Sequence, residues 1–276
     1  MALPNKLNRD YFHDNLDYNK LKFDLLENSY KWNIAHIPSA LSMLKYLSYM
    51  IPLMKFKHPE YQWVAGKQFG QQAYYTIYQK IGLEKLIPNT IQPLLLNGIN
   101  KEFAYVEETL GNSLGVAIGM AMSQGRPIWI NLSDSVFQMG RVQEALRMIS
   151  QLNLNILITI DGNRSSRCTS SQASWEVYKQ EPAKFIRELM EANGFEFDRL
   201  PGYGHRHTPS TITIIDEILT STKPRCIYFD TTKGNGFDLF EKESVTWHYK
   251  KMDSNEFTDI IREQIVRDSI DTIEDL

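Results

Sequence analysis

Two hydrophobic periods alternate along the second half of this chain. From Gly140 to Leu152 the apolar residues Val142, Leu146, Ile149 and Leu152 recur at helical spacing, which predicts a helix with one buried face. Before it, Ile128 to Leu132 is a short β-rich run that ends in Ser133-Asp134-Ser135. After it, Asn155 to Ile160 reads as a buried strand that ends in Asp161-Gly162-Asn163. Strand, helix and strand within about 35 residues make the βαβ unit of a parallel sheet. The alternation continues with a helix over 182–193, a strand over 195–197, a helix over 210–220 and a strand over 226–230. The expected class is α/β, with a mostly parallel sheet flanked by helices on both faces.

The first half is less regular. Leu16, Tyr18, Leu21, Phe23, Leu25 and Leu26 predict helix within residues 7–30, and His36-Ile37-Pro38-Ser39 reads as a turn capping a helix over 40–50. Residues 57–66 are expected to form a loop before a helix over 71–81, where Tyr74, Tyr75 and Tyr78 share a face. Residues 85–108, with Pro88, Pro93 and Gly98, are expected to be irregular. Leu114 to Met122 is small and apolar, suited to a helix buried against a sheet. With no repeat or low-complexity linker, residues 1–276 read as one domain with a helical extension (1–30) and an acidic terminal helix (255–276).

Composition narrows the function classes. The 276 residues are 42% hydrophobic and 23% charged, enough for one large α/β core. A net charge of −3 carries no nucleic-acid footprint. Cys168 and Cys226 are too few for a disulfide framework or a cysteine-rich zinc site. The N-terminus is polar, and the apolar stretch from Leu41 to Phe56 is broken by Lys45, Pro52 and Lys55. These features predict a cytoplasmic protein with neither nucleic acid nor membrane as partner.

In open parallel sheets, ligands bind beyond the carboxyl ends of the strands. Asp134 and Asn163, 29 residues apart, each follow such a strand. A carboxylate and an amide oxygen are hard ligands suited to Mg²⁺ or Ca²⁺, and such a cation can hold a diphosphate at a helix N-terminus. A helix cap and a turn residue would look the same in isolation.

Further segments extend the pattern in order. His36-Ile37-Pro38-Ser39-Ala40-Leu41-Ser42 resembles GHPGxSLS, and Gly66-Lys67-Gln68-Phe69 sits where SKGH would stand. Leu110-Gly111-Asn112-Ser113-Leu114 with Ala117-Ile118-Gly119-Met120-Ala121 resembles LGQGL…AVGMA. Ala192 to Glu196 resembles AFGWE, Thr232 to Gly236 resembles TKGxG, and Trp247-His248 resembles WHG. The collinear set, over about residues 30 to 250, resembles the thiamine-diphosphate-binding domain of transketolases.

The resemblance implies thiamine diphosphate and Mg²⁺ (or Ca²⁺) as cofactors. Metal ligands would be Asp134, the Asn163 side chain and the Ser165 backbone carbonyl. Gly111, Ser113, Ser133, Ser135 and Lys233 would lie along the cofactor. His36 and His248 would polarise hydroxyl and carbonyl oxygens of cofactor and sugar. His13, His58, His205 and His207 match no motif and are assigned surface or capping roles. The implied activity is transfer of a two-carbon ketol unit between sugars or sugar phosphates.

Several positions depart from the family pattern. Ser133 and Ser135 replace both glycines of GDG, and Ser113 replaces the last glycine of GQG. Phe69 replaces the SKGH histidine, Met139 replaces an acidic residue while Glu144 is kept, and Pro201-Gly202-Tyr203 stands where DGH would be. In the family a second domain binds the aminopyrimidine ring and supplies a glutamate. Its absence here implies a second chain carrying that pyrimidine-binding domain, in a homodimer or heterotetramer. One alternative is a catalytically inactive scaffold subunit, and another is a different thiamine-diphosphate class. A third is an α/β-hydrolase in which Gly111-Asn112-Ser113-Leu114-Gly115 presents Ser113 as nucleophile, with Asp230 and His248 as partners.

Overall fold

Strands β3 (Ile128–Ser133) and β4 (Ile156–Gly162) are buried along their whole length, as strands covered on both faces must be. They form the centre of a parallel sheet in this computed structural model, which describes residues 16–67, 69–88, 105–106, 110–164, 181–202 and 209–263. The other strands are β1 (Gln62–Ala65), β2 (Tyr105–Val106), β5 (Glu196–Pro201) and β6 (Arg225–Asp230). Their order across the sheet is β2-β1-β3-β4-β6-β5, and every described pairing is parallel.

Successive side chains on a strand point to opposite faces, so each strand feeds two cores. Trp129, Leu157, Ile227 and Phe229 pack against α1 (Tyr18–Lys31), α2 (Ile37–Pro52) and α3 (Gln71–Lys80), joined by α7 (Pro209–Thr220) and α8 (Asp238–Lys242). Ile130, Leu132, Ile158, Ile160 and Tyr228 pack against α4 (Ser113–Gln124), α5 (Gly140–Gln151) and α6 (Pro182–Ala192). The α/β class and the helices on both faces are as the sequence predicts.

Local chemistry sets the helix boundaries. The Asp17 side chain caps α1 by accepting from the Lys20 N–H at 3.0 Å, and Glu181 caps α6 by accepting from the Lys184 N–H at 2.6 Å. Helix α2 begins at Ile37, ahead of the expected 40, because Pro38 is tolerated in a first turn whose N–H groups lack helical partners. His36 precedes it in the left-handed region, φ 63°.

Three further expectations change. Residues 62–65, expected in a loop, form β1; Trp63-Val64-Ala65 is too short to signal a strand and is held by register with Trp129, Ile130 and Asn131. The Trp63 and Trp129 rings stack 4.4 Å apart, and their indole N–H groups reach Asn131 Oδ1 and Thr159 Oγ1, each at 2.9 Å. Strand β5 runs on to Pro201, past the expected 197. Helix α4 is not covered all round: a Cβ at Gly115 or Gly119 would meet nothing within 4 Å, and Met122 is 59% exposed. At the C-terminus residues 254–263 are helical, while the rest of the expected terminal helix and residues 1–15 lie outside the described residues. No described helix is long and apolar enough to cross a membrane.

Strand order places a topological switch between β1 and β3. The helix after β1 packs on one face of the sheet and the helix after β3 on the other, so the connections diverge and open a crevice at the strand ends.

Candidate functional site

Register brings the site together. Ser133 lies beside Asp161, Asp161 beside Phe229, and Gly162 beside Asp230. The chain leaves β1 through Gly66, where a Cβ would lie 2.6 Å from Leu132 Cδ2 and 2.7 Å from Ser113 Oγ. That close approach delivers Lys67 to the crevice. The start of α4, with Gly111 at φ +90°, adjoins the same end of the sheet.

Asp161 sits at the centre. Its carboxylate is fully buried and pairs with the Lys67 ammonium, which is 4% exposed. Ser42 Oγ donates to Oδ2 at 2.7 Å, Asn163 Nδ2 donates to Oδ2 at 2.8 Å, and Thr231 Oγ1 donates to Oδ1 at 2.5 Å. A buried ion pair repays its desolvation only when the remaining lone pairs are also satisfied, and here they are.

Asp134 is as deeply buried but, among the described residues, has no cation against it. Oδ2 accepts the Arg164 N–H at 2.8 Å, and Ser133 Oγ lies 3.4 Å from Oδ1. Burial, followed by the charge of Asp161, raises its carboxyl to about 7, against hydrogen bonds from the Arg164 and Ser135 backbone and the charge of Lys67. A divalent cation would reverse that penalty. No three described His, Cys, Asp or Glu residues are grouped to hold a metal ion. The donors fitting the implied ion are therefore a carboxylate and the neighbouring amide and backbone oxygens, an all-oxygen set appropriate to Mg²⁺.

Beside Lys67 lies a cluster of rings. His36 and His248 meet edge to face with centroids 4.6 Å apart, flanked by Phe69 (4.8 Å from His36) and Tyr249 (5.3 Å and 4.6 Å). Burial is the main cause lowering His36 to about 4, with Lys233 and Lys67 adding to it. His248 falls to about 3 for the same main reason, with Lys233, His36 and Lys67 contributing. Both rings are neutral near pH 7, and His36 Nδ1 and both His248 nitrogens are buried without a hydrogen-bond partner among the described residues. The Gly234 N–H donates to Pro38 O at 2.9 Å, pinning the Lys233 loop to α2.

The structure thus gathers Asp134, Asn163, Ser133 and Ser135 at one locus and His36, His248 and Lys233 at another, bridged by Lys67. The Ser133 and Ser135 hydroxyls lie 3.1 Å apart. Ser165, His13, His205, His207 and Cys168 lie outside the described residues. His58 makes the expected surface contacts, 3.0 Å from Asp216 and 3.4 Å from Glu60. Sequence reasoning gave no role to Ser42, Lys67, Asp161 or Thr231. Lys67 and Asp161 stood inside quoted motifs, but their pairing is invisible without the fold. A cavity of ≈ 350 Å³ opens beside Asn163, lined by Arg164, Arg199, Asp230, Thr231 and Thr232.

The hydrolase alternative fails on geometry. Ser113 is fully buried at a helix start, Asp230 is held bidentately by Arg199 at 2.7 and 2.8 Å, and His248 packs among rings.

Comparison with known proteins adds to this picture. Residues 97–201 match the family described as thiamine pyrophosphate enzyme, C-terminal TPP binding domain. No curated protein sequence matches the chain. Its fold is shared with solved transketolases. That of Campylobacter jejuni has a TM-score of 0.63 at 19% identity, over 86% of this chain and 40% of that one. A Pichia stipitis transketolase mutant in complex with fructose-6-phosphate gives 0.60 at 15%, over 95% and 45%. The Leishmania mexicana enzyme gives 0.56 at 14%, over 91% and 44%. The chain therefore spans less than half the length of these transketolases.

Proposed function

We propose that this chain is the diphosphate-binding module of a thiamine-diphosphate-dependent, transketolase-like enzyme, completed by a second chain that carries the pyrimidine-binding domain. The observation that carries the reading is Asp134, a fully buried carboxylate at the switch point with a like charge nearby and no cationic partner among the described residues. The family match over 97–201 encloses it and Asn163.

In this reading Asp134, Asn163 and Ser165 hold Mg²⁺, and the Ser133 and Ser135 hydroxyls donate to the diphosphate where glycine would offer only backbone. The cofactor, when bound, supplies the carbon nucleophile for ketol transfer between sugars or sugar phosphates. His36 and His248 present neutral imidazoles that donate to or accept from substrate oxygens. Burial, reinforced by Lys233 and Lys67, keeps them neutral, so they act through hydrogen bonds rather than charge. Phe69 and Tyr249 pack against these rings. The partner is supported by α4, whose outward stripe of Gly115, Gly119 and Met122 is apolar and open to close helix packing.

Calorimetric titration of thiamine diphosphate with Mg²⁺ tests this, on the wild type and on Asp134→Ala, with and without the partner chain. Saturable, metal-dependent heat that disappears in Asp134→Ala is expected. Its absence in the wild type with the partner present would leave the inactive scaffold as the reading.

A further inference from the structure

We infer that Asp161 is a positioning residue: with Ser42, Lys67 and Thr231 it locks the Asn163 amide so that its oxygen, not its nitrogen, is turned toward the metal–diphosphate locus. The inference rests on the function proposed above and concerns how this chain builds that locus.

The two ends of an asparagine amide are nearly the same size but opposite in chemistry. Oδ1 can ligate a hard cation, whereas Nδ2 presents two protons and repels it. Something must choose between them. Asn163 Nδ2 donates to Asp161 Oδ2 at 2.8 Å and to Ser42 Oγ at 3.2 Å, so both of its protons point into the protein. Oδ1 is bonded to the same planar carbon and is turned the opposite way.

Ser42 fits this arrangement only in one sense. Its hydroxyl carries one proton, which has two acceptors within reach, Asp161 Oδ2 at 2.7 Å and Ser39 O at 3.1 Å. The shorter, charge-assisted bond to the carboxylate takes it, leaving the Ser42 lone pairs to accept from Asn163. Flipping the amide would set its oxygen 2.8 Å from a carboxylate oxygen, with no proton between them. The carboxylate is in turn fixed by the Lys67 ammonium and by Thr231 Oγ1 at 2.5 Å. Three separate elements therefore converge on Asp161: α2 through Ser42, the loop after β1 through Lys67, and the end of β6 through Thr231.

This arrangement uses charge economically. Lys67 neutralises Asp161, so among the described residues the buried carboxylate left without a counter-ion is Asp134, on the neighbouring strand end. The cation is thereby directed to Asp134, while Asp161 orients the second ligand without touching the metal. Partners of this kind typically tune metal affinity by about 10- to 100-fold.

The test measures Mn²⁺ affinity of the full chain with its partner chain in saturating thiamine diphosphate, by electron paramagnetic resonance of free Mn²⁺. Asp161→Asn is expected to weaken Mn²⁺ binding by about 10- to 100-fold. The informative variant is the exchange Asp161→Asn with Asn163→Asp. A carboxylate at 163 offers oxygen at either end, so orientation no longer matters and Mn²⁺ affinity should return. A purely structural role for Asp161 predicts no recovery, and that result would overturn the inference. So would an unchanged affinity in Asp161→Asn. Should Asp161→Asn fail to fold, Ser42→Ala serves instead: an unaltered circular dichroism spectrum with Mn²⁺ binding weakened several-fold supports the inference, and unaltered binding overturns it. Failure of the wild type to bind Mn²⁺ with the cofactor and the partner chain present would instead remove the proposed function itself, and the inference with it.

Discussion

Acidification from pH 7 to pH 5 acts on this fold through two imidazoles that stay neutral in the native state. In the unfolded chain both titrate at 6.5; in the folded chain burial beside Lys233 and Lys67 lowers His36 to about 4 and His248 to about 3. The unfolded state binds more protons throughout that window. Stability is therefore full above pH 6.5, falls as the pH drops, and stops falling only below the folded values. At pH 5 neither ring is protonated in the folded state, so their mutual repulsion does not enter. The loss is set by protonation of the unfolded chain alone, about 2 kcal/mol for each histidine. Asp134 opposes this trend: its carboxyl, raised to about 7, takes up a proton in the folded state as the pH falls and adds stability between 7 and 3.8.

A bare pH profile mixes these effects, so the perturbation is His248→Phe. Phenylalanine fills a similar ring volume, keeps the edge-to-face contact with His36 and removes two buried nitrogens that lack partners among the described residues. Urea unfolding followed by tryptophan fluorescence should show the variant gaining on the wild type by about 2 kcal/mol between pH 7 and pH 5. An unchanged difference across that range would mean that His248 takes up a proton in the native state. The account of a dry, lysine-flanked imidazole pair would then be wrong.

Two other substitutions probe the packing around the site. Gly162→Ala places a Cβ 2.2 Å from Tyr228 Cζ, and should cost about 1–3 kcal/mol of unfolding free energy by overpacking. A thermal midpoint equal to the wild type would show that the ring moves aside freely. Lys45→Met removes a buried ammonium without a hydrogen-bond partner among the described residues, lying 4.8 Å above the Tyr18 ring and lowered to about 8 chiefly by burial. Since the folded state resists that charge below pH 8, the variant should be more stable at pH 7 by about 1–3 kcal/mol, with the gain shrinking toward pH 10.5. A loss at pH 7 would show that the cation–π contacts outweigh desolvation.

Much of this molecule was present in its linear pattern. A helical period between two apolar runs specifies β3, α5 and β4, because the period of side-chain exposure is a property of neighbouring residues. The same pattern placed Asp134 and Asn163 just beyond strand ends, where a parallel sheet binds ligands. Other features depended on the tertiary structure. Strand β1 has three consecutive apolar residues and becomes a strand only through its pairing with β3. Helix α4 packs on the sheet as expected, but its open outer side was not legible, since composition records which residues are apolar and not which of them a neighbour covers. The network on Asp161 was the least legible. Its donors Ser42, Lys67 and Thr231 lie 119, 94 and 70 residues away in the chain. What singles out a buried carboxylate is the desolvation it must offset and the donors brought to it, and both exist only once distant segments have packed together.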